Sequence, residues 1–204
     1  MKDTYITITK PSTEVLFKEK NSKFFGYAFP VSSEDEAKVH LEELKKQNHQ
    51  ARHWCYAWQT GKEESDRQFR VNDDGEPSNS AGMPIYGQIQ SFDVTNVLIV
   101  VVRYFGGVKL GVGGLIQAYK TAAQMALENS KIVVRTINRK FKIHFDYPEM
   151  NIVMRIIKEH DLNIIKQDLG LDCEIYVSVR KKEATAILEK FKAVYKVTIN
   201  EVEN

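Results

Sequence analysis

Residues 94–114 read VTNVLIVVVRYFGGVKLGVGG and change character halfway along. The first part, Val94 to Arg103, is mostly apolar and β-branched, which is typical of a central strand that is buried on both faces. The second part, Gly106 to Gly114, holds five glycines in nine residues. Helix-forming residues with an apolar stripe follow from Leu115 to Asn129. The stretch therefore predicts a strand, a glycine loop and a helix, in that order.

The sequence before this stretch predicts further strands and helices. Ser33 and Glu36 form a capping box, and an apolar stripe follows it, so a helix is expected to begin here. Runs of β-branched and aromatic residues on either side of this helix predict strands. The predicted strands are Val15–Lys20, Lys23–Val31, His53–Trp58 and Gln68–Asn72, and the predicted helices are Glu34–Gln47 and Met83–Gln90.

The last third of the chain predicts a second domain. Its patterns alternate in the order βαββαβ, which is the ferredoxin-like split motif. We therefore predict an α+β protein with domains at residues 1–136 and 137–204. The six elements are Phe141–Tyr147, Glu149–His160, Asn163–Leu169, Cys173–Arg180, Glu183–Phe191 and Lys196–Val202.

The composition limits the class of protein. Of 204 residues, 43% are hydrophobic and 27% are charged, as in ordinary globular proteins. The formal net charge is only +2, which argues against a dedicated duplex nucleic-acid binder. Cys55 and Cys173 form no CxxC pair, and neither a signal peptide nor a membrane span is predicted. We expect a cytoplasmic protein that is not inserted in a membrane.

The stretch Leu98–Gly111 is an apolar strand followed by Arg, two aromatic residues, Gly-Gly, two residues, an apolar residue and Gly. This pattern resembles the YigZ/IMPACT family, here in its bacterial two-domain form, and it is the most specific of several matching stretches. Asn79 stands where family members often carry Gly. The other matching stretches, in the family's order, are Lys20–Phe24, Ala51–Ala57, Asp73–Ser78 and Ala81–Ile85.

This resemblance implies a fold and a role. The first domain would have the βαβ fold shared by ribosomal proteins and GHMP-type kinases, and the second would be like the last domain of elongation factor G. The role implied is translation-associated regulation, with RNA, the ribosome or a translation factor as partner. Eukaryotic relatives carry an extra partner-binding domain that this chain lacks, so their specific role in initiation does not transfer.

The glycine loop is the first candidate site. Its glycines let the backbone approach a ligand closely, and the following helix adds a positive N-terminal end. Two cations could complete a phosphate or carboxylate site, although the loop matches neither the Walker pattern nor GxGxxG. The other interpretation is a tight connector whose glycines only permit packing. The candidate anion- or nucleic-acid-binding residues are Arg103, Gly106, Gly107, Lys109, Gly111, Gly113 and Gly114.

An acidic turn is a second, accessory candidate. Three carboxylates in four residues could hold hydrated magnesium or a basic partner, but Asp-Gly and Glu-Pro are also ordinary turn chemistry. Ser78 and Ser80 could cap the next helix. We predict no metal site and no cofactor. The accessory polar residues are His53, Asp73, Asp74, Glu76 and Ser78.

The strand at His53 to Trp58 leaves two questions open. His53 and Cys55 share one face, so a thiol nucleophile with a His base can be considered, although we expect Cys55 to be core. Trp54, Tyr56 and Trp58 share the other face and either stack bases or pack under a helix. We expect packing.

Three functions compete. The first is the translation-associated binding protein described above. The second is an enzyme or binder of a phosphorylated or anionic small molecule, in which His53, Asp74 or Glu76 moves protons. The third is a protein-only adaptor. Because no catalytic constellation is legible, binding is favoured over catalysis.

Overall fold

The computed structural model describes residues 2–170 and 172–202. The chain divides into two compact units, one from Tyr5 to Arg135 and the other made of the segments up to Thr4 and from Thr136 onward. The boundary predicted between residues 136 and 137 lies beside the second of these divisions. That each half is a separately folding domain stays a prediction.

The first unit is built on a five-stranded sheet with a central apolar strand. Its strands, with two short ones near its ends, are β1 (Thr4–Ile8), β2 (Val15–Glu19), β3 (Ser22–Pro30), β4 (His53–Thr60), β5 (Gln68–Asn72), β6 (Val97–Tyr104) and β7 (Ile132–Thr136). The sheet has the order β2-β3-β6-β4-β5, and all neighbours in it are antiparallel. β1 and β7 form a separate pair.

Helices cover both faces of this sheet. They are α1 (Glu34–Gln47), α2 (Gly82–Ser91) and α3 (Gly111–Glu128). Leu41 of α1 packs with Trp58 on one face. Ile85 of α2 and Tyr119 of α3 pack on the other. All six residues of Val97–Val102 are 0% exposed, which confirms that β6 is buried on both faces.

The large aromatic residues of β4 face α1. Trp58 is buried in the cluster that α1 forms with the sheet, and Trp54 and Tyr56 pack against that cluster. Burial of such rings is strongly favourable, roughly 2 kcal/mol for a fully buried aromatic side chain. The structure therefore favours packing over base stacking for this face.

The start of α3 differs from the prediction. The helix begins at Gly111 rather than at Leu115, so Gly111, Gly113 and Gly114 lie in its first turn and not in a loop. Low helix propensity made these glycines look like loop residues, but buried Leu115 and the apolar stripe after it anchor the helix. The connecting loop is therefore confined to residues 105–110. The two short strands β1 and β7 were also missed.

The second unit has the βαββαβ order that its sequence predicts. Its elements are β8 (Asn138–Asp146), α4 (Met150–Glu159), β9 (Asn163–Leu169), β10 (Asp172–Arg180), α5 (Ala184–Lys192) and β11 (Val197–Val202). The four strands form an antiparallel sheet in the order β11-β8-β10-β9. Val153 and Ile187 bring α4 and α5 onto the same apolar core. The likeness to elongation factor G stays a prediction.

The helices also bear on membrane insertion. Within residues 2–170 and 172–202, none is both long enough and apolar enough to span a bilayer.

Candidate anion-binding site

A cleft of about 370 Å³ lies between the end of β6, the start of α3 and the acidic turn. Two cations predicted for the site, Arg103 and Lys109, both line it, as do Gly111 and the accessory residue Glu76. We call this the glycine-loop cleft. The remaining lining residues are apolar: Pro77, Phe105, Leu110, Val112 and Leu115.

Arg103 is the buried cation of the cleft, and Glu76 neutralises it. The Arg103 Nη1 to Glu76 Oε1 distance is 2.5 Å, and the two side chains are only 6% and 5% exposed. Tyr119 also donates its hydroxyl to Glu76 Oε1, at 2.8 Å. The guanidinium carbon lies 5.5 Å from the ring centres of both Phe24 and Phe105. Arg103 is therefore held in place but contributes little net charge.

One atom of Arg103 is left without a hydrogen bond. Its Nε is buried and finds no acceptor within the described part of the chain. A buried donor of this kind costs free energy, so such groups usually have a partner in the functional state. The Nε itself is closed off from solvent, so its missing hydrogen bond bears on the stability of the pair rather than on ligand binding.

Lys109 is the exposed cation of the cleft. It sits in the loop before α3, and no carboxylate among residues 2–170 and 172–202 pairs with it. Because the charge of Arg103 is already balanced, Lys109 supplies the uncompensated positive charge of this cleft.

The first turn of α3 supplies backbone donors. Leu110 precedes the helix and makes no side-chain cap, so the N–H groups at this end lack the usual side-chain acceptor. Gly107 and Gly111 have φ angles of 87° and 73°, which favour glycine. A Cβ at Gly113 would meet nothing within 4 Å. Neither packing nor a positive φ requires glycine at Gly113, whereas a ligand approaching the backbone would.

The acidic turn is folded around its own carboxylates. Asp73 accepts hydrogen bonds from the N–H groups of Asn79, Ala81 and Gly82, at 2.8 to 3.0 Å. Asp74 accepts one from the N–H of Trp54 at 2.7 Å. Backbone N–H groups of the chain itself therefore engage the carboxylates of Asp73 and Asp74. The described residues contain no group of three or more His, Cys, Asp and Glu side chains that could hold a metal ion.

Helix capping at this turn differs from the prediction. Ser78 is exposed and Ser80 donates to the carbonyl of Pro77 at 2.6 Å, so neither caps α2. Asp73 binds the first amides of α2 instead, because the turn folds back far enough to bring its carboxylate there. Asn79 has a φ of 60°, the left-handed region where Asn and Gly are favoured. The departure from the family's Gly is therefore conservative.

His53 and Cys55 bind the backbone of the same turn. His53 Nδ1 lies 2.8 Å from the Asp74 carbonyl oxygen, and Cys55 Sγ lies 3.0 Å from that of Asp73. Cys55 is fully buried, and this burial raises the pKa of its thiol well above the ordinary range. A neutral, buried thiol is a poor nucleophile. The geometry thus gives both residues a role in holding the turn.

Sequence reasoning missed the partners inside the cleft. Tyr119 and Phe24 look like ordinary apolar-face residues, and nothing local marks their contacts with Glu76 and Arg103. One signal was available: an arginine at the end of a fully buried strand requires a carboxylate, and Glu76 is an acid in another of the matching stretches. The apolar rim of the cleft was also not predicted. Phe105 and Val112 belong to it and are 45% and 53% exposed.

Comparisons with known proteins place this arrangement in context. A family model described as the Impact N-terminal domain matches residues 20–127, which include the whole cleft. An IMPACT family member of Haemophilus influenzae is 30% identical over 178 residues, covering 86% of each chain. YvyE, an IMPACT family member of Bacillus subtilis, is 32% identical over 189 residues, covering 93% of this chain and 86% of that protein.

A solved structure matches the chain over the length of both units. The crystal structure of a hypothetical protein has a TM-score of 0.74 with this chain at 25% identity, and each chain is covered completely. The two-unit architecture is therefore shared with a solved protein.

Proposed function

Because this chain belongs to the IMPACT family, we propose that it is a translation-associated protein that binds RNA through the glycine-loop cleft. The resemblance to this family implies the translation-associated setting. The observation that carries the binding site is the meeting of unpaired Lys109 with the uncapped first turn of α3 in one cleft.

The two parts of the cleft suit the two parts of a nucleotide. A phosphate would accept hydrogen bonds from the first amides of α3 and pair with Lys109. The exposed ring of Phe105 borders the same cleft and offers a surface on which a base can stack. Phosphate and base contacts together favour a flexible single strand or a ribosomal RNA loop over a closed duplex.

The charge balance sets the strength of this site. Glu76 neutralises the charge of Arg103, so a bound phosphate would interact with about one unit of positive charge, that of Lys109, and with the positive end of α3. We therefore expect this cleft to be one contact within a larger interface, and not a tight phosphate trap.

A lysine substitution tests the proposed site. Lys109→Ala is expected to weaken binding of ribosomes and of a single-stranded RNA oligonucleotide several-fold, because it removes one phosphate contact. The slope of log affinity against log salt should fall by about 0.7. Filter binding at stepped salt concentrations measures both.

Lys120→Ala is the matched control, since Lys120 is an exposed lysine on the neighbouring helix α3 that does not line the cleft. The RNA proposal is wrong if Lys109→Ala and Lys120→Ala behave alike. Ribosome binding that survives both ribonuclease treatment and Lys109→Ala would instead favour the protein-only adaptor.

Gly113→Ala separates stability from binding. We expect it to stabilise the fold by about 0.5–1 kcal/mol, because alanine favours the helix and its Cβ meets no neighbour. RNA binding should nevertheless weaken, since the methyl group keeps a ligand away from the helix end. Urea unfolding and the binding assay measure the two effects. A variant that is stabilised and binds normally would show that no ligand approaches Gly113.

An anionic small molecule is the second candidate ligand. The cleft volume of about 370 Å³ falls in the range of small-molecule pockets, and its walls are largely apolar. Of the residues predicted to move protons, Glu76 faces the cleft, whereas His53 contacts the carbonyl oxygen of Asp74 and the Asp74 carboxylate accepts from the N–H of Trp54. Thermal stabilisation by a nucleotide or sugar phosphate, lost in Lys109→Ala, would favour this alternative.

A further inference from the structure

The four-stranded sheet of the second unit leaves one face open. In β8 and β10, buried apolar residues alternate with partly exposed polar ones, and the buried set packs on α4 and α5. The opposite face therefore carries the polar set. We call it the open sheet face, and its central residues are Lys140, Lys142, His144, Lys166, Glu174 and Tyr176.

Tyr176 lies at the centre of this face. It sits on β10, a middle strand of the sheet, directly opposite Lys142 of β8 and Lys166 of β9. The ammonium nitrogens of these lysines lie 5.9 and 5.7 Å from the centre of its ring. An aromatic ring thus stands on a flat polar surface between two cations, where no apolar core requires it.

The charges around Tyr176 are only partly balanced. Lys142 is paired with Glu174 at 2.5 Å, and Arg180 at the end of β10 is paired with Asp3 at 2.6 Å. Lys140 and Lys166 have no carboxylate partner in the described ranges 2–170 and 172–202. Three further acids, Asp146, Asp168 and Asp172, share this face, and all three lie level with Glu174 or beyond it, on the side away from Lys140. The acids therefore gather at one end of the face, and the positive charge without a carboxylate partner lies beside Tyr176 at Lys166 and toward the other end at Lys140.

A flat antiparallel sheet with a central aromatic ring and flanking cations suits one class of ligand. An unstacked base can lie on the ring, and the backbone phosphates then reach the lysines on neighbouring strands. A duplex keeps its bases stacked, so it gains only the phosphate contacts. We propose that the open sheet face binds single-stranded nucleic acid, with a base on Tyr176 and phosphates beside Lys140 and Lys166. This surface belongs to the second unit and does not depend on the glycine-loop cleft.

Substitution of the ring in the full chain tests this proposal. The probe is a fluorescein-labelled oligouridylate of about twelve nucleotides, long enough for one site. Tyr176→Ala should weaken its binding about tenfold, whereas Tyr176→Phe should stay within about twofold, because phenylalanine keeps the stacking ring. Fluorescence anisotropy gives the affinities, and circular dichroism checks that each variant is folded.

Tyr195→Ala is the matched control. Tyr195 is 81% exposed, belongs to the same unit and also has a lysine near its ring, with the Lys196 nitrogen at 5.7 Å. It lies outside the strands of the sheet, so its removal should leave binding unchanged. Equal losses in Tyr176→Ala and Tyr195→Ala would overturn the proposal.

Salt dependence and cross-linking identify the contacts. Lys140→Ala and Lys166→Ala should each lower the slope of log affinity against log salt by about 0.7. With 4-thiouridine in the probe, irradiation of the wild-type chain should attach it to the peptide that contains Tyr176. This holds as a test even if Tyr176→Ala fails to fold. A cross-link elsewhere, or duplex RNA binding as tightly as the single strand, would overturn the proposal.

Two further measurements separate neighbouring possibilities. Oligothymidylate in place of oligouridylate shows whether the face prefers RNA or accepts both, and either result supports a single-strand site. Lys109→Ala shows whether the cleft contributes: loss in Tyr176→Ala but not in Lys109→Ala would retain this proposal and reject RNA binding at the cleft. If neither oligonucleotide binds measurably, the single-strand proposal is wrong, and a protein partner becomes the alternative ligand for this face.

Discussion

Replacing Glu76 with alanine is expected to destabilise the first unit by about 3–5 kcal/mol, because it leaves the buried Arg103 without its counter-ion. The side chains of Arg103 and Glu76 are both more than nine-tenths buried, and the Nε of Arg103 already lacks a partner in the described residues. Tyr119 would lose its hydrogen-bond acceptor in the same substitution. Few single substitutions in this chain should cost more.

Urea unfolding followed by tryptophan fluorescence measures this loss. The chain has two tryptophans, Trp54 and Trp58, and both lie on β4, so their emission reports the first unit. A Glu76→Ala variant within about 1 kcal/mol of the wild type would contradict a buried, mutually dependent pair.

The double variant Glu76→Met with Arg103→Met separates the pair from the single charge. Replacing a buried ion pair by apolar residues of similar volume is often close to neutral, so most of the lost stability should return. A double-mutant cycle then gives the coupling between the two residues. If the double variant is as unstable as the single one, the effect arises from lost packing and not from the stranded charge.

Glu76→Gln connects this pair to the cleft. Glutamine keeps an acceptor for Arg103 and Tyr119 but removes the negative charge that balances Arg103. The cleft should therefore bind anions more tightly in the folded protein, opposite in sign to the effect of Lys109→Ala. A gain of anion affinity in Glu76→Gln and a loss in Lys109→Ala would be hard to explain by a general loss of structure.

The sequence predicts the framework of this chain well, because hydrophobic periodicity reports burial directly. The continuous apolar run of β6 is buried on both faces, and the alternating pattern of β10 is buried on one, as its residues indicate. The capping box at Ser33 and Glu36 starts α1: Glu36 N–H donates to Ser33 Oγ at 3.2 Å. These signals are local, so they can be read without knowing what packs against them.

The site was less predictable, because its contacts join distant segments. Arg103 and Lys109 were predicted to meet, and they line one cleft. Glu76 neutralises Arg103 only because the acidic turn folds back toward it. The spacing of these two residues along the sequence does not predict that contact. Similarly, Asp73 takes over the capping expected of Ser78 only because the turn brings its carboxylate to α2. Long-range geometry therefore decides which charged residues remain available to a ligand.

Gly106→Ala is expected to be the second severe substitution, costing about 3 kcal/mol because backbone atoms leave no room for a methyl group. A Cβ at Gly106 would lie 2.1 Å from the carbonyl carbon of Asn21 and 2.3 Å from the nitrogen of Ser22. These atoms lie where the turn between β2 and β3 enters β3, and Lys20 and Asn21 of that turn have φ angles of 43° and 66°. A tight turn of this kind has little freedom to move aside.

Gly87→Ala is the matched control for this prediction. Gly87 lies inside α2, a Cβ there would meet nothing within 4 Å, and its replacement should stabilise the fold by about 0.5–1 kcal/mol. The same urea titration measures both variants. If Gly106→Ala costs no more than about 0.5 kcal/mol, the loop is not held against the turn as tightly as its geometry indicates.

The tight approach at Gly106 also explains why two separated stretches of the sequence act together. Gly106 donates its N–H to Ser22 Oγ at 3.1 Å, and Ser22 is fully buried. The hairpin turn and the glycine loop are therefore joined by a hydrogen bond and by direct backbone contact. Gly106→Ala should consequently displace the loop that carries Lys109, so the variant should lose RNA affinity even at a temperature where it remains folded. Gly87→Ala, which leaves the loop in place, should keep it.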